Sequence, residues 1–233
     1  MIIEEPKTIK GTNPFLAKAL AAANNKMLPL FIRQQCCEKR GIWRRYFADR
    51  MGEKPAEVHV DIGSYKGKTI LELAQSFPDR AFIGVDLTYK RVFLSAERGE
   101  KLGLRNVAWC LWDAKKIKEI FSEDEVSGVS VFFPDPWANK KSQKKHRLIS
   151  NDFVEQMRSI LENKGYFWLK TDHHEYFTEA CLILKRLGVG LNEDSEHFEY
   201  AKKIGRTLFE ELFHTQGKGT FSRIWYKELD GSG

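Results

Sequence analysis

Five short apolar runs occupy the middle of this chain: Glu57–Asp61, Ala81–Asp86, Asn106–Asp113, Gly128–Phe133 and Gly165–Asp172. Between and after them, Lys68–Ser76, Tyr89–Leu102, Ala114–Phe121, Ser150–Glu162 and His173–Leu187 have helical spacing. Strands alternating with helices specify a doubly wound, parallel α/β sheet. Later the pattern changes. Phe198–Tyr200 and Phe221–Glu228 read as strands around a helical piece at Thr207–Phe213. Sequential strands of this kind pair antiparallel at one edge of a mixed sheet. The expectation is a mostly parallel, seven-stranded sheet with an antiparallel C-terminal edge, Arg223 to Lys227 being its last edge strand with Trp225 and Tyr226 on opposite faces.

At 233 residues, the length suits one large domain or one domain with an elaborated end. Apolar residues at 42% and charged residues at 30% exclude a disordered chain. No apolar run reaches the ~18 residues of a membrane span, and Met1 to Lys10 carries Glu4 and Glu5 in place of a signal peptide's apolar region. Cys36, Cys37, Cys110 and Cys181 form no CxxC pair, so reduced thiols, a cytoplasmic setting and no metal are expected.

The net charge of +6 has a location. Residues 1–55 hold eleven Lys/Arg and five Asp/Glu; subtracting these from 38 and 32 leaves 27 of each in residues 56–233. Residues 1–55 are therefore expected to be a basic helical N-terminal extension, helical over Phe15–Lys26 and over Leu30–Met51 with a break near Gly41, and residues 56–230 the α/β domain. A second basic patch, Lys140, Lys141, Lys144, Lys145, His146 and Arg147, contains no acid. Two patches suit a polyanion held at more than one point; a solvated helix face plus a charged loop is the structural alternative.

Each core run ends at or just before an aspartate: Asp61, Asp86, Asp113, Asp135 and Asp172. Open α/β sheets bind ligands at the carboxyl ends of their strands, so five carboxylates point toward one rim. Any one of them can equally be a helix cap or a turn residue, and Asp113 and Asp172 both precede helices. Clustered carboxylates repel and call for a cation. The first turn, Asp61-Ile62-Gly63-Ser64-Tyr65-Lys66-Gly67, has Gly-x3-Gly spacing, not GxGxxG, which argues against a dinucleotide pyrophosphate and a nicotinamide dehydrogenase. Asp86, ending the second strand, is placed to hold ribose hydroxyls, and Asp113 to accept from an adenine amino group. S-adenosylmethionine, an adenosine bearing cations and no pyrophosphate, meets this description.

On the acceptor side, Phe132-Phe133-Pro134-Asp135-Pro136-Trp137 fixes one carboxylate beside an aromatic plate, an arrangement suited to an unstacked base; a stiff loop closing the core is the alternative. The following basic run is placed to touch phosphates. No Cys lies near this motif for attack on a pyrimidine carbon. Guanine N7 has a free lone pair and no proton to remove, and a fixed carboxylate stabilises the positive charge that develops on the base.

These residues resemble the bacterial tRNA (guanine-N7-)-methyltransferases, class I S-adenosylmethionine-dependent enzymes of Rossmann-like fold, over roughly residues 55–228. The resemblance rests on Asp61-Ile62-Gly63-x3-Gly67, Phe82-Ile83-Gly84-Val85-Asp86, Asn106-Val107 with Asp113-Ala114, Phe133-Pro134-Asp135-Pro136-Trp137, Arg147-Leu148, Thr171-Asp172 and Thr207-x2-Glu210. It implies that Asp61, Gly63, Asp86, Asp113 and Asp135 contact the methyl donor. It further implies that Asp135 is catalytic, that Asn139, Lys140, Asp172, Thr207 and Glu210 bind the guanosine, and that the target is position 46 of the tRNA variable loop. The implied partner is tRNA, with no membrane and no metal, and the chain acts as a monomer or weak homodimer. The chain departs from the family at four points: Asp61 replaces Glu, Tyr65 replaces the second glycine, Asn139 replaces a Lys, and the loop to Arg147-Leu148 is one residue longer, which moves Lys140 toward the missing Lys. Two other readings stay open. One is an exocyclic-amine methyltransferase, because Pro-Asp-Pro-Trp echoes loops that hold amines. The other is a tRNA-binding protein that has lost catalysis, on the strength of Tyr65 and Asn139. His173 and His174 read as surface residues at a helix start, Trp109 and Trp112 as core, and Phe209 and Phe213, four apart, as packing.

Overall fold

A computed structural model describes residues 14–138, 141–187, 189–192, 199–204 and 206–227. In chain order its elements begin with α1 (Pro14–Asn24), β1 (Leu30–Ile32), α2 (Gln34–Cys37) and α3 (Trp43–Met51). The alternating region follows: β2 (Val58–Ile62), α4 (Lys68–Ser76), β3 (Ala81–Asp86), α5 (Tyr89–Lys101), β4 (Val107–Leu111), a 3-10 turn (Ala114–Glu119) and β5 (Val126–Phe132). A second 3-10 turn (Lys141–His146) leads to α6 (Asn151–Ile160), β6 (Leu161–Thr171), α7 (His174–Arg186), β7 (Val189–Asn192), α8 (Glu199–Lys203), α9 (Leu208–Thr215) and β8 (Phe221–Lys227).

The strands form one sheet in the order β1-β4-β3-β2-β5-β6-β8-β7, parallel from β1 to β6 and antiparallel at β8 and β7. Side chains alternate across it. Ile83, Ala108, Phe167 and Leu169 pack on the face covered by α3, α6 and α7, whereas Phe82, Trp109, Tyr166 and Trp168 pack on the face covered by α1, α4 and α5. This period of two, buried on both sides, is why the central strands read as continuous apolar runs. Trp225 and Tyr226 fall on opposite faces as expected. The order in which successive strands are added reverses between the parallel neighbours β2 and β5, so the switch-point crevice lies at the carboxyl ends of those two strands.

Three expectations are corrected. Residues 30–51 are not a broken helix. Leu30–Ile32 pair in parallel with Trp109–Leu111, and the Trp109 amide donates to the Pro29 carbonyl at 2.8 Å, giving the sheet an eighth strand. The free edge of β4 overrides the helical spacing. Gly41 does mark a break, at φ 80°, and buried Glu125 accepts from the Gly41 and Trp43 amides, at 2.9 Å each, to start α3. Trp43 and Phe47 of α3 enter the same core as the sheet. The second correction concerns Glu199–Lys203, which is helical; the strand of that region is Val189–Asn192, and Phe198 lies outside the described residues. Tyr200 is buried, hydrogen-bonded to Glu57 and to His59, an anchorage that a helical turn supplies. Third, β8 is interior, between β6 and β7, and β7 forms the edge. Asn106, one of the motif residues, has a packing role: its side-chain amide donates to the carbonyls of Ala74, Phe77 and Arg80 at 2.9, 3.1 and 2.9 Å.

Candidate active site

The carboxyl ends of β2, β3, β4 and β5 open into a cleft of about 760 Å³, within the size range of small-molecule sites. Asp86, Asp113 and Asp135 line it together with Gly63, as the strand-end pattern predicts. Asp61 and Thr207 line a small recess beside it, which shares Gly63, Tyr65, Phe132, Phe133 and Phe209 with the cleft. Asp172 and Glu210 line neither. Asn139 and Lys140 lie outside the described residues.

The β2–α4 turn holds its shape through left-handed residues. Gly63 and Gly67 have φ 74° and 69°, and among the described residues, its chain neighbours aside, no atom lies within 4 Å of where a Gly63 Cβ would sit. The backbone at Gly63 is therefore open to a ligand. Tyr65 takes φ 48°, which costs a non-glycine residue roughly 1–2 kcal/mol. The Tyr65 ring packs against Phe209, with the Arg91 guanidinium 4.6 Å from its centroid.

Asp86 closes the turn. Its two carboxylate oxygens accept from the Thr88 amide at 2.8 Å and the Tyr65 amide at 3.3 Å, with Arg91 at 3.5 Å as the nearby cation. Each oxygen keeps acceptor capacity toward the cleft. Asp61 faces Ser130 across the β2–β5 pair and accepts from its hydroxyl at 2.7 Å. Burial pushes the Asp61 carboxyl up to about 7, against the Ser130 hydrogen bond and reinforced by the charge on Asp86. Asp113 caps the 3-10 turn that follows it, accepting from the Lys115 amide at 3.0 Å, so the cap reading and the cleft position hold together.

The Pro-Asp-Pro-Trp loop is a second strained part of the rim. Phe133 and Trp137 both adopt positive φ, 53° and 44°. Strain of this kind persists where surrounding contacts impose it, and three do so here. The Phe133 amide donates to the Lys170 carbonyl at 2.7 Å, the Trp137 amide to Asp135 Oδ1 at 3.0 Å, and Arg147 Nε to the Pro136 carbonyl at 2.8 Å. Asp135 is exposed at the mouth, and Trp137, 38% exposed, lies against His146.

Other residues occupy places that the sequence did not reveal. Thr207 and Glu210 form a capping box at the start of α9: the Glu210 amide donates to Thr207 Oγ1 at 3.2 Å and the Thr207 amide to Glu210 Oε2 at 2.8 Å. Lys170 donates to Glu210 Oε1 at 2.8 Å. Burial acts to raise the Glu210 pKa, but the bonds from Lys170 and Thr207 outweigh it and the net shift is downward. This motif thus positions α9, whose Phe209 lines the cleft and packs on Tyr65 and Phe133. His173, not Asp172, is the N-cap of α7. Trp109 is core, but Trp112 lines the cleft, its indole donating to the Lys116 carbonyl at 2.9 Å. No group of metal-ligating side chains occurs among the described residues, and no helix among them is long and apolar enough to cross a membrane.

A family described as "Putative methyltransferase" matches residues 55–222. A tRNA (guanine-N(7)-)-methyltransferase of Geobacillus kaustophilus is 38% identical over 182 residues, covering 77% of this chain and 81% of the relative. A bifunctional glycosyltransferase/methyltransferase of Fusobacterium nucleatum is 29% identical over 196 residues; the match takes in 82% of this chain but only 29% of that longer protein. Among solved structures, the 16S rRNA methyltransferase KamB superposes with a TM-score of 0.58 at 15% identity, covering 79% of this chain and 92% of that one, a likeness of fold.

Proposed function

From the premise that this chain belongs to the bacterial tRNA (guanine-N7-)-methyltransferase family, we propose that it methylates N7 of guanosine 46 in the tRNA variable loop, with Asp135 as the catalytic carboxylate. The activity itself, S-adenosylmethionine-dependent methylation of a tRNA guanine at N7, is that of its relatives.

The cleft fits the methyl donor. Its wall has a glycine with open space where a side chain would project, and carboxylates at three strand ends that complement a cationic ligand. Asp86 would hold the ribose hydroxyls, Asp113 the adenine amino group, and Asp61 the ammonium through the adjoining recess. When bound, S-adenosylmethionine supplies an electrophilic methyl group on a sulfonium. The chain's own contribution is placement and charge. The guanine N7 lone pair forms the new carbon–nitrogen bond, no proton leaves, and the ring becomes cationic. Asp135, held by its Asx-type bond to Trp137, stabilises that cation without a general base. Trp137 offers its exposed face to the base. The single observation that supports this reading best is the rigid, strained Phe133–Trp137 loop presenting one exposed carboxylate beside an aromatic plate at the mouth of the donor cleft.

The experiment is incubation with S-adenosylmethionine and unmodified tRNA, followed by mass identification of the nucleosides. N7-methylguanosine is expected, absent when guanosine 46 is replaced. Asp135→Ala should lower the single-turnover rate by about 10²–10³, the range of a preorganised electrostatic group, with donor binding largely intact. An N2- or N6-methylated product, or full activity in Asp135→Ala, would overturn the assignment.

A further inference from the structure

A separate cavity of about 420 Å³, sharing no lining residue with the donor cleft, lies among the Lys141–His146 turn, the start of α6 and the side of α7. Lys144, Lys145, Arg147 and Arg186 line it; Glu179 is the one carboxylate that lines it among the described residues. The charges are unequally satisfied. Lys144 pairs with Glu175 and Arg147 with Glu179. Arg186 hydrogen-bonds to the neutral Asn151 amide oxygen, and no ion pair of Lys145 occurs among the described residues. Ser150 and Asn151, the N-cap and first residue of α6, also line the pocket, so the positive end of that helix adds to the same field.

Arg147 gives this pocket a built interior. It is 3% exposed, its guanidinium lies 4.8 Å from the centroid of the buried Tyr176 ring, and its Nη2 is buried with no hydrogen-bond partner among the described atoms. A cationic pocket with spare donors is matched by a phosphate, whose oxygens accept several charge-assisted hydrogen bonds. The same side chain donates from Nε to Pro136, the residue after Asp135, so the pocket wall and the strained loop share one guanidinium. Position favours an RNA phosphate over a free ion. Lys145 lines the pocket and the next residue, His146, lines the cleft, so one RNA segment passing the Trp137–His146 rim meets both.

We propose that this pocket binds a backbone phosphate of the tRNA near the target guanosine, through Lys145 and Arg186 in front of Arg147. The proposal rests on the RNA-methyltransferase reading above. If it holds, tRNA is gripped at a point separate from the base-binding mouth, and the grip bears on the residue that buttresses the catalytic loop.

Lys145 and Arg186 are both exposed, so the double variant Lys145→Glu/Arg186→Glu should fold, and Arg186→Gln is the milder version. Dissociation constants for unmodified tRNA are measured across a range of salt, and donor binding by calorimetry. The double variant should bind tRNA roughly tenfold or more weakly, and its log–log salt slope should be shallower by about 1 to 2, the signature of lost phosphate contacts. Arg186→Gln should flatten the slope by about 1. Donor affinity should stay at the wild-type value. Unchanged tRNA affinity and slope in both variants would overturn the proposal. Competition by inorganic phosphate against tRNA in wild type but not in the double variant would agree with the assigned chemistry. Inorganic phosphate bound at the pocket with tRNA affinity unaffected by the variants would make the site a free-anion site and also overturn it. Failure of the underlying function is read separately, as absence of N7-methylguanosine with the wild-type protein.

Discussion

Replacing Asp61 by Asn isolates one proton that the fold controls. The Asp61 carboxyl has an ordinary value of 3.8 and is pushed up to about 7 by burial, with Ser130 opposing and Asp86 adding to the shift. A carboxylate raised on folding binds its proton more tightly in the native state. Its contribution to stability is therefore fully present below the unfolded value and is lost as pH rises through the folded one. Between pH 5 and pH 8 the native carboxyl passes from protonated to ionised while the unfolded one is ionised throughout. With 1.36 kcal/mol per pH unit of displacement, the loss over that interval is about 2–3 kcal/mol. Asn keeps an acceptor for the Ser130 hydroxyl and cannot ionise. Urea unfolding of both proteins at the two pH values measures the difference directly, since the other titrating groups are common to both. Wild type should lose about 2–3 kcal/mol relative to Asp61→Asn on going from pH 5 to pH 8. Parallel pH profiles would refute the argument, because they would mean that Asp61 is solvated or neutralised in the native state.

Two further outcomes follow from local geometry. Thr207→Ala removes the acceptor for the Glu210 amide and should cost about 1 kcal/mol in urea unfolding, with Thr207→Ser restoring it; equal stability of all three would show that the capping box does not hold α9. Gly128→Ala places a methyl group inside the van der Waals envelope of the Tyr166 ring, its partner across the β5–β6 pair, whose hydroxyl meets His59 Nδ1 at 3.0 Å. A loss of about 1–3 kcal/mol is expected from such overpacking, and an unchanged denaturation midpoint would mean that the ring has room to withdraw.

The central strands were legible because their cause is local. A strand buried on both faces is a short apolar run, and a residue that ends such a run sits at the carboxyl rim; Ala81–Asp86 begins and ends where the sequence indicates. The positions of Asp86, Asp113 and Asp135 at the cleft follow from this alone. Leu30–Ile32 was not legible, because three residues are too few to show a period and only the edge of β4 makes them a strand. Thr207-x2-Glu210 was ambiguous for a different reason: Ser/Thr-x-x-Glu is also the capping-box pattern, and the cation that settles its role, Lys170, lies 40 residues away. Asp61 joins both kinds of information. Its place at the end of β2 can be read from five consecutive residues, but its proton depends on Ser130, 69 residues distant. That neighbour exists only because β2 and β5, not successive in the chain, lie side by side where the strand order reverses. The switch point that creates the ligand crevice is thus also what sets the chemistry of the carboxylate within it, and sheet order, not strand sequence, decides both.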